Sequence, residues 1–269
     1  MPIQQPADKK PVVLCFSGHD PSGGAGIQAD IEAIAAHGVH ALTVITALTC
    51  QDSSHVYGFE PVNAHQMQQQ AEILLKDIPI NAIKVGMTAS VAAIKAIRNI
   101  LKQHPEIPVI FDPVLASGGG DSLSTEILID AINTYLLPYC QLITPNIPEA
   151  LKLAKTDNGL DLAAKSLLES GCQYVLITGT HSEATKIEHR LYHKLQPAIS
   201  FSNERLAHEY HGSGCTLASS IAALIAQGMS IQAAVQAGLD YTFHSLQHGH
   251  APGKGQLFPD RLCTLNRND

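Results

Sequence analysis

Residues 12–38 read VVLCFSGHDPSGGAGIQADIEAIAAHG, and this stretch decides the fold. Positions 12–17 are apolar and largely β-branched or aromatic, which suits a strand. A glycine-rich turn over 17–26 follows, and then a helix over about 27–37. Ile27, Ile31 and Ile34 mark that helix's apolar stripe, with Asp30 three residues from the first and four from the last. Asp30 therefore falls on or beside the buried face, where a carboxylate needs a partner, within the protein or on a ligand. The turn does not spell GxGxxG, so by itself it reads equally as a structural turn or a binding loop.

The same strand–turn–helix alternation continues outward. Strands are expected at 41–46, 82–85, 109–112, 142–144 and 174–178, and helices at 63–76, 91–103, 124–133, 160–169, 215–227 and 231–248. Residues 185–194 alternate and read as a hairpin or an edge strand. Strands that are apolar throughout are buried on both faces, the mark of a parallel sheet covered by helices. With no linker, repeat or low-complexity tract, residues 1–269 read as one domain, with 1–10 and about 250–269 as terminal tails.

In an open α/β sheet, ligands gather beyond the carboxyl ends of the strands. Polar or glycine-rich segments fall there repeatedly: Gly18 onward, then Thr49 and Gln51, Gly86-Met87, Asp112-Pro113, Thr144 to Glu149, and Thr178-Gly179-Thr180-His181. Near the chain's end, His211-Gly212-Ser213-Gly214-Cys215-Thr216 opens an Ala/Leu/Ile-rich helix. Unpaired first-turn N–H groups and the helix dipole favour an anion, and they should lower the pKa of Cys215. A glycine-rich turn with a serine cap is the plainer alternative. Asn146 could cap the helix that follows it, and Glu149 could simply complement that helix's dipole. Taken together, Asp112 and Glu149 near a phosphate-binding helix suit Mg²⁺, which takes one or two carboxylates plus waters and phosphates.

Composition removes other classes. A net charge of -7 without a Lys/Arg-rich run argues against nucleic acid. The opening ten residues lack a signal peptide's apolar core, and no stretch approaches the roughly 20 apolar residues of a membrane span. Six scattered cysteines without a CxxC pair suit a reducing cytoplasm. His189/His193 and His244/His248 have i,i+4 spacing, but without an HExxH glutamate or neighbouring thiols they read as solvated histidines.

Together the segments SGHDPSGGAGIQAD (17–30), VITALTCQ (44–51), IKVGM (83–87), FDPVLASGGG (111–120), LITPNIPEA (142–150) and HGSGCT (211–216) resemble the hydroxymethylpyrimidine/phosphomethylpyrimidine kinases of thiamine biosynthesis, in the ribokinase-like superfamily. The resemblance implies a three-layer α/β/α sandwich with a mostly parallel central sheet. It implies ATP-dependent phosphorylation of an aminopyrimidine alcohol and then of its monophosphate, with ATP and Mg²⁺. Asp30 and Gln51 would hydrogen-bond the pyrimidine, with Gly18, Thr49 and Met87 shaping its pocket. Cys215 would be the general base, while Gly212, Ser213 and Gly214 would offer N–H groups to the transferring phosphoryl. Asp112 and Glu149 would organise the metal. Asn146, Thr178 and Gly179 would lie at the nucleotide. The partner is a small molecule, and a homo-oligomer, dimeric in the first instance, is expected. Two departures stand out: Thr178-Gly179-Thr180-His181 replaces the family's frequent Lys-Gly-Gly-His, and Ser213 replaces the commoner threonine. A pyridoxal-type vitamin kinase and a non-catalytic nucleotide- or pyrimidine-binding relative are the alternatives.

Overall fold

A computed structural model of the chain describes residues 9–116, 123–179 and 185–263. Strand β1 (Val12–His19) enters the molecule and helix α1 (Gly26–Ala36) returns, as the opening stretch predicts. The chain continues through β2 (His40–Gln51), β3 (Val56–Pro61), α2 (Ala64–Asp77), β4 (Ala82–Val85), α3 (Val91–Gln103) and β5 (Val109–Phe111). Then come α4 (Glu126–Tyr135), β6 (Leu142–Ile143), α5 (Ile147–Ala154), α6 (Leu160–Glu169) and β7 (Tyr174–Ile177). The hairpin β8 (Lys186–His193) and β9 (Gln196–Glu204) precedes α7 (Ser213–Ala226) and α8 (Ile231–Gln247).

Among the described residues the strands form one sheet in the order β3-β2-β1-β4-β5-β6-β7-β8-β9. The six strands from β2 to β7 are parallel to one another, and the outer three pair antiparallel. Burial on both faces shows residue by residue. Leu14 and Phe16 of β1 face the core under α2 to α6, while Val13 and Cys15 face the core under α1, α7 and α8. This is the three-layer α/β/α arrangement. The connection β1–α1–β2 runs to one side of β1 and β4 returns on the other, so β1 is the switch point. The crevice beyond its carboxyl end is where such sheets bind ligands.

Three sequence expectations change. The second strand does not stop at Thr46 but runs to Gln51 and pairs with β3, so Thr49 and Gln51 lie on the strand itself. Residues 185–194 supply only the one strand β8 (Lys186–His193), and β9, rich in Ser, Asn and Gln, completes the hairpin. Both β3 and β9 are edge strands largely facing solvent, so neither carries an apolar signature. The segment after residue 250 is no tail as far as Cys263. His250 bridges Phe258, His211 N–H donates to the Leu257 carbonyl at 2.9 Å, and Phe258, Arg261 and Cys263 are buried.

Candidate active site

Two glycine-rich loops meet at the switch point, and Asp20 joins them. One of its oxygens accepts from the Ser22 N–H at 2.8 Å and from the Ser22 hydroxyl at 2.6 Å. The other accepts from the Ala25 N–H at 2.8 Å and lies 2.8 Å from His211 Nε2. Burial works against ionisation of Asp20, but hydrogen bonds from His211, Ser22 and Gln51 outweigh it and hold the carboxyl well below the usual carboxylate range. A carboxylate only accepts, so Gln51 turns its amide N–H toward Asp20. Around this loop, the Thr49 hydroxyl donates to the His19 carbonyl at 2.9 Å. A Cβ on Gly18 would stand 3.2 Å from the Met87 sulfur, so that glycine is what lets Met87 close over the strand end. Gly18, Thr49, Met87 and Gln51 are thus gathered at the carboxyl ends of the neighbouring strands β1, β2 and β4.

The second loop delivers the amino terminus of α7. Gly212 is its N-cap, with φ 77°, and a Cβ there would lie 2.0 Å from the Gly24 carbonyl. Only glycine permits both the left-handed backbone and that approach. No side chain caps the helix, so the serine-cap alternative falls away and the first-turn N–H groups near Ser213 and Gly214 face the crevice without an internal side-chain acceptor. Arg261, from the segment read as a tail, locks the two loops together. It donates to the Gly24 carbonyl, to Thr216 Oγ1 at 2.8 Å and to Glu32 at 2.9 Å.

Cys215 is buried, and here the expectation of a lowered pKa is overturned. Burial, helped by the charges of Asp112 and Asp30, pushes the thiol up to about 12, against Lys84 and the Gly26 N–H. Helix dipole effects are modest, typically under about 1 kcal/mol near a surface, and desolvation between two carboxylates exceeds them here. The thiol instead hydrogen-bonds Asp112.

Asp30 also differs from the ligand-facing reading. In β4, Ile83 and Val85 face one core, so Lys84 points to the other, between α1 and α7. There Lys84 Nζ donates to Asp30 at 2.8 Å and to the Ser17 hydroxyl at 3.1 Å, and the Ser219 hydroxyl donates to the same Asp30 oxygen at 2.7 Å. Neither side chain of the pair has any exposed surface. The partner that Asp30 requires lies within the protein. Ile27 and Ile34 share its buried face while Ile31 is exposed. Burial alone would lower the Lys84 pKa, but Asp30, Cys215 and Asp112 raise it, so the ammonium is kept. Lys84 was missed in the sequence, although a lysine inside the apolar run Ala82–Val85 is itself a signal.

Asn146 and Glu149 form a capping box on α5. The Glu149 N–H donates to the Asn146 side chain, and the Asn146 N–H donates to the Glu149 carboxylate, each at 2.9 Å. The Leu115 N–H reaches the other Glu149 oxygen at 3.3 Å. Burial and then the neighbouring Asp112 push the Glu149 carboxyl up to about 8. Burial likewise raises Asp112, whose second oxygen is buried without a hydrogen-bond partner among the described residues. Two mutually repelling carboxylates with a stranded oxygen fit a hard cation such as Mg²⁺. Gly214 leaves space beside them, since a Cβ there would sit 3.6 Å from Asp112. Thr178 continues β7 by bridging Asn146, and Gly179 permits close passage under Glu188, whose carbonyl a Cβ would meet at 1.9 Å. Thr180, His181 and Gly118 to Gly120 lie outside the described residues.

The model of the phosphomethylpyrimidine kinase family matches residues 20–259. The chain belongs to that family. A hydroxymethylpyrimidine/phosphomethylpyrimidine kinase from Streptomyces coelicolor is 33% identical over 260 residues, covering 95% of this chain and 96% of the relative. The chain spans about half the length of two further relatives, 47% of one from Schizosaccharomyces pombe and 44% of one from Oryza sativa. A crystal structure of a Clostridium difficile phosphomethylpyrimidine kinase matches with TM-score 0.75 and 33% identity, over 87% of this chain and 98% of that one. Pyridoxal kinase from Staphylococcus aureus in complex with pyridoxal matches with TM-score 0.86 and 25% identity, over 97% of each chain. Membership in the kinase family and the ribokinase-like fold therefore stand as the sequence implied. Among the described residues no helix is long and apolar enough to cross a membrane.

Proposed function

We propose that this family member transfers the γ-phosphoryl group of ATP to the hydroxymethyl oxygen of 4-amino-5-hydroxymethyl-2-methylpyrimidine, and then to the resulting monophosphate, in thiamine biosynthesis. The observation that carries the reading is the convergence of the uncapped α7 terminus, Cys215 and the Asp112–Glu149 pair beyond the carboxyl ends of the parallel strands. Phosphoryl transfer passes through a loose transition state, so positioning and charge stabilisation supply most of the rate. First-turn N–H groups near Gly212, Ser213 and Gly214 receive the phosphoryl oxygens. Mg²⁺, held by Asp112 and Glu149, would neutralise phosphate charge. Cys215 takes the alcohol proton late, as the new P–O bond makes that proton acidic, and passes its own to Asp112. A thiol with a raised pKa can serve in this way because it need not be ionised beforehand. Gln51 and Met87, with Gly18 and Thr49, place the pyrimidine; Asn146, Thr178 and Gly179 border the nucleotide.

Free cysteines at all six positions fit a reducing cytoplasm. Leu48 and Tyr57, exposed on the β2–β3 hairpin, offer apolar area on which a homodimer would close. The second reading, a pyridoxal kinase, is favoured by one observation: the backbone superposes better on the pyridoxal kinase, 0.86 against 0.75, although identity runs the other way. Side chains rather than backbone select a substrate. The test is a coupled ATPase assay with hydroxymethylpyrimidine, its monophosphate and pyridoxal. Both pyrimidines should turn over, with kcat/KM at least about tenfold above pyridoxal, a difference of roughly 1.4 kcal/mol. Absence of pyrimidine turnover beside robust pyridoxal turnover would move the assignment to the second reading.

A further inference from the structure

The i,i+4 pair His244/His248 reads in sequence as two solvated histidines. Folding changes its company. The turn Asp260 to Cys263 is laid over the last turn of α8 by the Asp260 N–H, which donates to the Ser245 carbonyl at 3.0 Å. The Tyr241 hydroxyl adds a bond to the Arg261 carbonyl at 2.8 Å. These contacts bring the buried Cys263 thiol beside both rings, and one ligand atom from each of the three residues lies within 4.8 Å of the others. The two imidazoles stand 4.3 Å apart, centroid to centroid.

We infer that His244, His248 and Cys263 form a binding site for a thiophilic divalent cation of the Zn²⁺ class, separate from the phosphoryl-transfer site. The donor set carries this choice: two imidazoles and a thiolate suit Zn²⁺ or Co²⁺, whereas Mg²⁺ and Ca²⁺ demand oxygen. Ligands at about 2.0–2.3 Å from a tetrahedral zinc lie roughly 3.3–3.8 Å from one another, so side-chain rotation of about an ångström closes the present spacing. The histidine orientation agrees. His248 Nδ1 lies 2.9 Å from the His244 carbonyl, and a carbonyl only accepts, so Nδ1 carries the proton and Nε2 keeps its lone pair for a metal. Water would complete the fourth position. Binding would release the Cys263 proton to solvent as the metal–sulfur bond forms. The ion would staple the terminal turn to α8. That turn also carries Arg261, whose guanidinium joins Gly24 to Thr216 at the two glycine loops.

The test uses tag-free, chelator-treated, reduced full-length protein titrated with Co²⁺. One equivalent should produce near-ultraviolet thiolate-to-cobalt charge-transfer absorption together with visible tetrahedral bands, and Zn²⁺ should bleach both. Cys263→Ser should abolish the charge-transfer band, and Cys50→Ser should leave it intact. His248→Ala, at an exposed position, should weaken Co²⁺ binding by at least about tenfold with unchanged circular dichroism. Zn²⁺ should also raise the Tm of the wild type and not of His248→Ala. No charge-transfer band in the wild type, or a band that survives in Cys263→Ser, would overturn the site. If Cys263→Ser fails to fold, His248→Ala decides alone, with undiminished binding as the refuting outcome.

Discussion

His211 Nε2 lies 2.8 Å from a carboxylate oxygen of Asp20, joining two glycine-rich loops whose residues are 191 positions apart in the chain. The same carboxylate accepts from Ser22 and Ala25, so it sets the shape of the first loop while the histidine fixes the second against it. Asp20→Asn would turn an amide NH₂ toward a group that also donates. The expected cost is about 1–3 kcal/mol in urea unfolding, with kcat/KM lower by at least about tenfold. The Asp20 carboxyl is depressed from an ordinary value of 3.8, so its contribution to stability is present above that value and is lost as pH falls through the folded one. Below pH 3.8 the wild type should therefore converge on the variant. Equal urea midpoints at neutral pH would show the joint to be idle.

Cysteine reactivity follows burial, not proximity to a helix terminus. Cys50 is exposed, whereas Cys215 is buried with its pKa pushed up to about 12. Limited iodoacetamide near neutral pH should label Cys50 first and leave Cys215 intact until denaturant is added. Mass spectrometry of the peptides reads the order, and early labelling of Cys215 would reverse the assignment of its protonation state. Cys215→Ala should lower kcat by about 10²–10⁴ if the thiol relays the alcohol proton.

The sequence disclosed what is periodic or glycine-marked, and hid what depends on distant partners. The opening strand, turn and helix, and the five further parallel strands, were legible because burial on both faces writes a largely apolar run, even where Lys84 interrupts one. Edge strands β3 and β9 face water and write no such run. Asp30 was rightly placed on a buried face, but its partner Lys84 lies 54 residues away and becomes its neighbour only through the alternation of β4. For Cys215, the helix terminus was visible and Asp112 was placed near it as a metal ligand, but the burial of the thiol beside both Asp112 and Asp30 was not. The segment from about residue 250 was expected to be a tail, although it carries Arg261 into the site.

Arg261 is 2% exposed and spends its donors on Gly24, Thr216 and Glu32. Arg261→Lys keeps the charge but cannot reproduce the planar fork. It should cost about 1.5–3 kcal/mol of stability, the range for hydrogen bonds to charged groups. ATP and acceptor KM should rise together, because both loops lose their common anchor. A change confined to one substrate would place Arg261 in that substrate's pocket instead.

Lys84 and Asp30 are the last test, because they separate a structural pair from a substrate-binding acid. Both side chains are fully buried, and one Asp30 oxygen has no hydrogen-bond partner among the described residues. Removing one charge strands the other, so Lys84→Met should lose about 3–5 kcal/mol in urea unfolding. Replacing both by apolar residues, Lys84→Met with Asp30→Leu, should be more stable than Lys84→Met alone, since no unpaired charge remains. Acceptor kinetics then decide the role of Asp30. If the pair only supports the sheet and α1, Asp30→Asn will reduce stability while acceptor and ATP KM move together by less than about threefold, under 1 kcal/mol. If Asp30 instead reaches the pyrimidine through its second oxygen, acceptor KM will rise by about tenfold or more and ATP KM will stay put, as the loss of one charge-assisted hydrogen bond requires. The geometry favours the first outcome, because Lys84 and Ser219 already converge on the other oxygen and the carboxylate has no exposed surface.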